Sequence, residues 1–265
     1  MGVSPPNVYL ALGSDGAAFI DTGFNNAEDI NLRMDYLKTV GNPPVTAIIL
    51  THKHPDHMGG ATSFQKVTGA PLVSSPIEKE IIEAILKNQR EHPKSYYSVK
   101  HGDTLNLGNL TLEFVHGPGH TMGSMAVFEQ KQKALFTGDT ILGFGTTAIN
   151  PDDGNMEQYL ETLESFLNYD LSFILPGHGP MIRNPQAKIK ELIQHRIQRE
   201  QQIISSLQEG AKSLENLFKE IYTELDPRLH NQARSQIKSH LVKLENEGRA
   251  IFRSEIYEIA KQYKV

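Results

Sequence analysis

The sequence predicts an α/β fold, made of β-sheets with helices on their outer faces and followed by a small, mainly helical domain. Up to about residue 185, short apolar runs that are typical of strands alternate with segments whose apolar residues recur at helical spacing. Beyond that point the chain offers three helical segments and one short strand. We therefore expect two domains, residues 1–185 and residues 186–265.

The first elements are a predicted β-hairpin and a helix. Residues 8–12 and 17–20 are apolar runs on either side of a turn that begins and ends with glycine, and glycine permits the backbone angles of a tight turn. In the next segment the apolar residues at helical spacing are Ile30, Met34, Leu37 and Val40. They predict a helix over residues 25–40 that ends before the Pro43–Pro44 pair.

Strands and helices then alternate through the middle of the chain. The run at residues 47–50 indicates a strand, and residues 77–88 indicate a helix. Residues 104–116 and 125–137 each indicate a pair of strands. A further helix and a last strand are predicted over residues 157–167 and 172–175. In that helix we expect the inward side chains to be Leu160, Leu163 and Leu167.

The C-terminal segment has the pattern of a winged helix, which is three helices followed by a short extended piece. The helices are predicted over residues 185–209, from the Ser213 cap to Leu225, and over residues 228–247, with a strand at residues 249–253. In the third helix we expect the core side to be Ile237, Leu241 and Leu244. We expect the exposed side to be Arg234, Gln236, Lys238 and Lys243.

A dense cluster of possible metal ligands follows the strand at residues 47–50. It consists of His52, His54, Asp56 and His57. Imidazole and carboxylate together suit zinc, with iron or manganese as alternatives, because borderline cations take nitrogen ligands and tolerate oxygen. One such run cannot complete a metal site, so ligands must also come from elsewhere in the chain.

Three later turns offer these ligands. His120, Asp139 and His178 each lie in a turn rich in glycine or proline, just beyond an apolar stretch. Glycine lets the backbone turn sharply, so each side chain can point into a shared cleft. A lone loop histidine is more often a surface residue than a ligand, but the dense first cluster followed by three further candidates favours a metal site.

These residues resemble the H-x-H-x-D-H pattern, followed by His, Asp and His, of the metallo-beta-lactamase superfamily. The resemblance implies an αββα sandwich with two metal ions along one edge. It implies that the ligands of one ion are His52, His54 and His120. It implies that the ligands of the second ion are Asp56, His57 and His178, with Asp139 bridging the two ions. We expect both ions to be zinc, with iron or manganese possible.

The resemblance also implies roles for three carboxylates. Two metal ions that share a water lower its pKa from about 15.7 to about 7, so a bridging hydroxide would be the nucleophile, directed by Asp56 and Asp139. Asp21 stands where the superfamily keeps an acidic residue that orients the ligand loops, and metal-bound imidazoles usually donate their second N–H to such a partner. The alternative for Asp21 is that it only begins a turn.

Further motifs narrow the resemblance. They are L-G-F-G-T-T at residues 142–147, P-G-H-G-P at residues 176–180 and H-R-I-Q-R-E-Q at residues 195–201. With the terminal helices they are similar to the beta-lactamase-like protein 2 family, which are relatives of glyoxalase II with a C-terminal winged helix. The similarity covers nearly the whole chain. It implies, for the animal members, an endoribonuclease acting on single-stranded RNA.

Of the specific functions, the sequence favours the endoribonuclease, which requires basic and aromatic side chains on the surface. The basic residues expected to contact phosphates are Arg196, Arg199, Arg234 and Lys238, and Tyr159 is expected to stack on bases. Charge opposes this function in the catalytic part, because residues 1–187 contain 12 Lys and Arg against 20 Asp and Glu. Residues 188–265 contain 14 against 11, a small basic excess that a solvated helical face would also show.

Three other functions fit the same residues. The main alternative is a glyoxalase II-like hydrolase of a small thioester or ester, in which the C-terminal helices wall a pocket. A ligand-sensing regulator that binds nucleic acid and a persulfide dioxygenase with a single iron are less favoured. A dedicated beta-lactamase is disfavoured, because the chain has no cysteine to place a thiolate at position 139.

Composition bounds the location of the protein. Without cysteine nothing calls for an oxidising compartment. The longest apolar runs fall short of the roughly 18–20 residues of a membrane span. We therefore expect a soluble, cytoplasmic protein with no membrane partner; the sequence gives no indication of its oligomeric state.

Overall fold

Two five-stranded β-sheets form the centre of the computed structural model, which describes residues 5–260 and residue 262. The strands of the first sheet, in spatial order, are β1 (Tyr9–Leu12), β2 (Ala17–Ile20), β3 (Val45–Ile49), β4 (Leu72–Ser74) and β5 (Tyr96–Ser98). The second sheet contains β6 (Thr104–Asn106), β7 (Thr111–His116), β8 (Met125–Glu129), β9 (Ala134–Gly138) and β10 (Phe173–Pro176). The first sheet is parallel except for the β1–β2 hairpin, and the second is antiparallel except for β9–β10.

Helices cover both outer faces of the sheets. Those of the first sheet are α1 (Ala27–Thr39), α2 (Pro55–Met58), α3 (Ala61–Thr68) and α4 (Pro76–Asn88). The second sheet is covered by α5 (Met156–Phe166) and by the start of α6 (Pro185–Gln208). The chain continues through α7 (Leu214–Ile221), a 3₁₀ turn (Pro227–Leu229), α8 (His230–Asn246) and the hairpin of β11 (Ala250–Arg253) and β12 (Ile256–Ile259).

Alternation along the strands produces the layers. In β2 and β3, Phe19 and Ile48 pack against the helices, whereas the next residues, Ile20 and Ile49, pack between the two sheets. Successive side chains of a strand point to opposite faces, so each strand serves two cores. A third cluster, which includes Leu135 and Ile174, packs the second sheet against α5 and α6. The predicted αββα architecture is confirmed.

Most of the elements predicted from periodicity are present, but short ones were missed. The structure adds α2, α3, β4 and β5, which have three to eight residues each and leave little periodic signal. In α5 the prediction was partly wrong. Leu163 is buried, but Leu160 and Leu167 are only partly covered, and the aromatic side chains of Tyr159 and Phe166 fill the core instead.

The C-terminal elements share one apolar core. The predicted core residues of α8 are confirmed, since Ile237, Leu241 and Leu244 are fully buried. The expected exposure of Gln236 was wrong, because its side chain is buried and hydrogen-bonded. The other residues expected to be exposed are partly covered and bonded to acidic groups. These pairs are Arg234 with Glu215, Lys238 with Asp152 and Lys243 with Glu200.

Helix α6 connects the two parts of the chain. Its first half, with Ile189 and Leu192, packs on the second sheet, and its second half, with Ile203 and Leu207, packs in the C-terminal core. One continuous helix therefore belongs to both cores. The domain boundary between residues 185 and 186 stays a prediction. Within the described part of the chain, every helix is too short or too polar to cross a bilayer.

Candidate metal centre

Loops at one edge of the sandwich bring all seven predicted ligands together. His52 and His54 follow β3, and α2 then supplies Asp56 and His57. The other three ligands follow strands of the second sheet: His120 after β7, Asp139 after β9 and His178 after β10. Three overlapping groups of these side chains have ligand atoms within 4.8 Å of one another. The roles of the individual residues as ligands stay a prediction that this geometry supports.

The first group consists of three imidazoles whose inner nitrogens converge. His54 Nδ1 lies 3.0 Å from His52 Nε2 and 3.1 Å from His120 Nε2. The outer nitrogens all face groups that accept hydrogen bonds. His120 Nδ1 donates to the carbonyl of Ala148 at 2.9 Å, and His54 Nε2 donates to Asp153 at 2.9 Å.

The remaining imidazole is fixed in the same way through Thr51. The Thr51 hydroxyl donates to Asp21 and accepts from His52 Nδ1 at 3.1 Å. In the neutral form each of the three rings therefore has its proton on the outer nitrogen and a lone pair on the inner one. The lone pair of His54 then lies about 3 Å from those of His52 and His120, and such lone pairs repel unless a cation lies between them. The residues present therefore fit a metal ion.

The second group is arranged around His57. Its Nδ1 donates to Asp21 at 2.7 Å, so that Nε2 faces His178 Nε2 at 3.3 Å and Asp139 Oδ1 at 3.2 Å. Asp56 Oδ2 lies 3.1 Å from His178 Nε2. Two nitrogens and two carboxylates therefore meet here, and a borderline cation accepts such a mixed set.

Asp139 lies between the two groups. Its Oδ2 is 3.6 Å from His178 Nε2 and 3.9 Å from His120 Nε2. Its Oδ1 is buried and lies 3.2 Å from His57 Nε2. A Cβ atom at Gly177 would lie only 2.4 Å from that oxygen, so glycine is needed for the close approach. A buried carboxylate that lies among ligands of both groups is placed where two cations could share it.

Burial and charge set the protonation of the imidazoles. Burial lowers the pKa of His52 well below its usual value, and the neighbouring imidazoles lower it further. Burial likewise lowers the pKa of His120 to about 4, although Asp139 opposes the shift. Burial also acts to lower the pKa of His57, but Asp21 and Asp139 outweigh it and raise that pKa to about 10. A metal ion at the second group must therefore displace a proton from His57.

The two carboxylates with predicted catalytic roles are ionised at neutral pH. Burial acts to raise the pKa of Asp56, but the neighbouring His178 and His57 outweigh burial and lower it to about 2. The pKa of Asp139 is lowered for the same reason, by His57, His120 and His178 against burial. Both residues therefore offer negative charge to a cation.

Asp21 accepts hydrogen bonds from residues of the candidate centre. Its carboxylate is 2 % exposed and accepts from the Thr51 backbone N–H at 2.8 Å as well as from His57. Its backbone φ of 60° is left-handed, a conformation that Asp tolerates better than most residues. These contacts favour the orienting role over the alternative that Asp21 only begins a turn.

Two acidic residues near the centre were missed by the sequence analysis. Asp153 accepts from His54 Nε2 and forms a short ion pair with Lys53, and these neighbours outweigh burial and lower its pKa to about 2. Glu78, in the first turn of α4, is fully buried and accepts from Thr121 Oγ1 at 2.6 Å. Only the spacing of Ser75 and Glu78 gave a signal, and it is typical of a helix cap rather than of a loop contact.

The residues expected to contact RNA are mostly occupied or buried. Arg196 is 1 % exposed and Tyr159 is 0 % exposed, so the predictions for both were wrong. The guanidinium of Arg199 lies over the ring of Tyr222, 4.2 Å from its centre. The guanidinium of Arg234 bonds to Glu215 at 2.8 Å and 3.1 Å.

A cleft of about 640 Å³ lies beside the first group of imidazoles and shares His54 with it. Its apolar side chains are Phe24, Pro55, Met58, Ile81 and Ile85. Phe24 is half exposed at the mouth, whereas Met58 is buried. The cleft is also lined by polar side chains, which are Lys53, next to His54, and Asn25, Gln89 and Glu91. An apolar group can therefore enter from solvent and end beside the candidate metal centre.

Comparison with known families gives two matches. The family described as the metallo-beta-lactamase superfamily matches residues 1–178, and the one described as the beta-lactamase associated winged helix domain matches residues 213–257. Among solved structures, a beta-lactamase domain protein from Burkholderia ambifaria has a TM-score of 0.82 at 22% identity, covering 96% of this chain and 87% of the other. A metallo-beta-lactamase family protein from Thermus thermophilus has a TM-score of 0.77 at 19% identity, covering 96% and 93%.

Curated relatives resemble the chain along most of its length. A beta-lactamase-like protein 2 homolog of Drosophila melanogaster is 29% identical over 261 residues, which is 94% of this chain and 85% of the relative. The homolog of Caenorhabditis elegans is 28% identical over 243 residues, which is 91% of this chain and 79% of the relative. An atrochrysone carboxyl ACP thioesterase of Aspergillus fumigatus is 31% identical over 213 residues, which is 78% of this chain and 61% of the relative.

Proposed function

Because the chain belongs to the metallo-beta-lactamase superfamily and is a hydrolase of that fold, we propose that it cleaves an acyl thioester whose acyl group is large and apolar. The observation that carries this proposal is the apolar cleft that shares His54 with the candidate metal centre. An acyl chain in the cleft would exchange water for contacts with Phe24, Met58 and Ile81, which is favourable in proportion to the apolar area buried.

The proposed metal ligands are those implied by the superfamily pattern. One ion, which we propose to be zinc with iron or manganese as alternatives, would be held by His52, His54 and His120. The second would be held by Asp56, His57 and His178, with Asp139 shared between the two ions. Bound metal supplies an activated water and a Lewis acid toward the thioester carbonyl.

The protein's own residues prepare the site for this chemistry. Asp56 is ionised and only partly buried, so it can accept a hydrogen bond from a water that attacks the carbonyl. Asp139 is more deeply placed and adds a fixed negative charge. Asp21, Asp153 and the carbonyl of Ala148 hold the imidazole rings in one orientation.

One of the relatives adds support for this substrate class. The Aspergillus fumigatus relative is named as a thioesterase that acts on an acyl carrier protein (ACP) thioester. We propose a thioester of the same general kind for this chain, with the carrier left open between a protein and a small thiol. The cytoplasmic location expected from the sequence stays a prediction.

An endoribonuclease is the second candidate, favoured by the winged helix and by the near full-length similarity to the beta-lactamase-like protein 2 homologs. The surface supports it less well. Arg196 and Tyr159 are buried, and Arg234 and Lys238 are bonded to carboxylates. A polyanion needs free cations along its path, so the thioester is the better supported substrate.

A chain-length series tests the proposal. Thioesters of one small thiol with acyl groups from acetyl to dodecanoyl would be compared with a fluorescent single-stranded RNA under the same conditions. We expect kcat/KM to rise with acyl length by up to about fourfold per methylene, until the cleft is full. RNA should remain uncleaved.

A substitution in the cleft tests whether the cleft causes the preference for long acyl groups. Ile81→Trp fills the cleft and should remove the advantage of long acyl groups while leaving acetyl thioester turnover unchanged. Leu32→Trp, at an exposed position on α1, is the matched control and should behave as wild type. Turnover that is independent of acyl length, or cleavage of RNA alone, would contradict the proposal.

A further inference from the structure

A loop between the candidate metal centre and the C-terminal helices contacts both. Residues 147–153 follow Asp139 and precede α5, and no strand or helix includes them. A loop of this kind owes its shape to side-chain partners rather than to a backbone ladder. Its hydrogen bonds therefore show what holds it in place.

On the inner side, the 147–153 loop contacts three of the seven candidate ligands. The carbonyl of Ala148 accepts from His120 Nδ1 at 2.9 Å. Thr147 Oγ1 donates to the backbone carbonyl of Asp139 at 2.8 Å, and Asp153 accepts from His54. A shift of this loop would therefore turn two imidazoles and move the shared carboxylate.

On the outer side, the same loop is held by α6 and α8. Arg196 Nη2 donates to the carbonyl of Thr147 at 2.6 Å. The carbonyl of Ile149 accepts from Gln236 Nε2 at 3.1 Å and from Ser239 Oγ at 2.5 Å. The carbonyls of Thr147 and Ile149 thus face the C-terminal helices, whereas the carbonyl of Ala148 between them faces the candidate metal centre.

The buried position of Arg196 is unfavourable for a charged side chain. Its side chain is 1 % exposed, its Nη1 donates to Gln236 Oε1 at 2.7 Å, and its charge lies 5.3 Å from the centre of the Tyr159 ring. Its Nε is buried without a partner among the described residues, and the ion pairs found among them do not include it. A buried charge without a counter-ion destabilises a fold, so the hydrogen bonds of Arg196 to Thr147 and Gln236 must offset that cost.

We propose that Arg196, Gln236 and Ser239 are positioning residues for the metal centre. They hold the carbonyls of Thr147 and Ile149, which aims the carbonyl of Ala148 at His120 Nδ1 and leaves His120 Nε2 with its lone pair for a metal ion. The C-terminal helices thereby act on metal binding itself. This inference rests on the metal ligands proposed above.

Cobalt binding provides the test, because Co(II) reports on ligand geometry through its visible absorption. The metal affinity of the full chain would be measured by competition with a chromophoric chelator, for wild type, Arg196→Met and Ser239→Ala. We expect each variant to bind cobalt about tenfold or more weakly and to show an altered cobalt spectrum. Ser239→Ala removes a single hydroxyl and provides a test if Arg196→Met folds poorly.

A matched variant separates positioning from general stability. Leu217→Ala, in the fully buried C-terminal core and away from the loop, should lower the melting temperature and leave cobalt affinity and spectrum unchanged. If the Arg196 and Ser239 variants behave like Leu217→Ala, the positioning role is overturned while the proposed metal centre stands. A wild-type chain that binds no cobalt would overturn the metal centre, and the positioning role with it.

Discussion

Each imidazole of the first group is oriented by a partner on its outer nitrogen. A carbonyl, a carboxylate and a hydroxyl that already donates elsewhere accept from His120, His54 and His52. None of these acceptors can donate in return, so the position of each ring proton is determined. The partner of a ligand therefore matters as much as the ligand, because it decides which nitrogen faces the metal.

A substitution at Asp21 tests whether such partners orient the ligands. Asp21→Asn keeps a residue that tolerates the left-handed backbone but replaces a charged acceptor of His57 with a neutral amide. We expect metal affinity to fall by about 10–100-fold with the fold intact. Metal titration and a circular dichroism spectrum measure the two quantities. Asp35→Asn, at an exposed site on α1, is the control; equal affinity in both variants would contradict the orienting role.

The sequence allowed all seven candidate ligands to be predicted, but not the residues that orient them. The ligands stand in dense or glycine-flanked motifs, whereas Asp153 lies in an ordinary acidic turn nearly a hundred residues from its partner His54. Nothing in the local pattern distinguishes such a carboxylate from a solvated one. The same holds for Arg196, which was expected on the surface because arginines on helices usually are.

At the scale of elements, periodicity was reliable for long segments and poor for short ones. The hairpin, α1, α4 and the core side of α8 followed from the spacing of apolar residues. The short strands β4 and β5 and the wing strand β12 did not. In α8 the error at Gln236 arose because a polar residue on the flank of an apolar face can be buried against another element, here against Arg196.

Glu200 on α6 links elements of the C-terminal part and gives a pH-dependent prediction. Burial acts to raise its pKa, but His240 at 3.9 Å and Lys243 at 2.8 Å outweigh burial and lower it to about 2. Because the folded pKa lies below the unfolded one of about 4.5, the ionised form stabilises the fold above pH 4.5. That contribution is lost as the pH falls from about 4.5 through 2.

Glu200→Gln should therefore lower the free energy of unfolding at pH 7 by at most about 3 kcal/mol. The difference from wild type should shrink as the pH approaches 2. Urea denaturation at several pH values measures it, with Glu161→Gln at an exposed site of α5 as the control. A difference that stays constant with pH would contradict the assigned pKa.

At the scale of the molecule, both sheets contribute loops to one centre, and the C-terminal helices support one of those loops from outside. The αββα arrangement could be expected from the superfamily pattern, and a winged helix from the order of the last elements. The contact between the helices and the 147–153 loop could not, because it depends on how α6 and α8 pack in space. The spacing of residues in the sequence does not predict that packing.

Metal binding should therefore stabilise the whole molecule, because it cross-links loops from both sheets. Metal at about 100 times its Kd adds about 2.7 kcal/mol, which for a chain of this size raises the melting temperature by about 5–10 °C. Scanning calorimetry of metal-free and metal-loaded protein measures the shift. Calcium, which prefers oxygen ligands, is the control ion and should give little change. Equal melting temperatures with and without saturating zinc would contradict a centre built from four loops.

The metal content of the purified chain tests the dinuclear centre most directly. After loading with zinc and desalting, elemental analysis should give two ions per chain for wild type, as the two groups of ligands and the shared Asp139 require. Asp139→Ala should retain at most one ion and should lose turnover on every substrate. Zero or one ion in the wild-type chain, or full turnover in the Asp139 variant, would contradict the dinuclear centre.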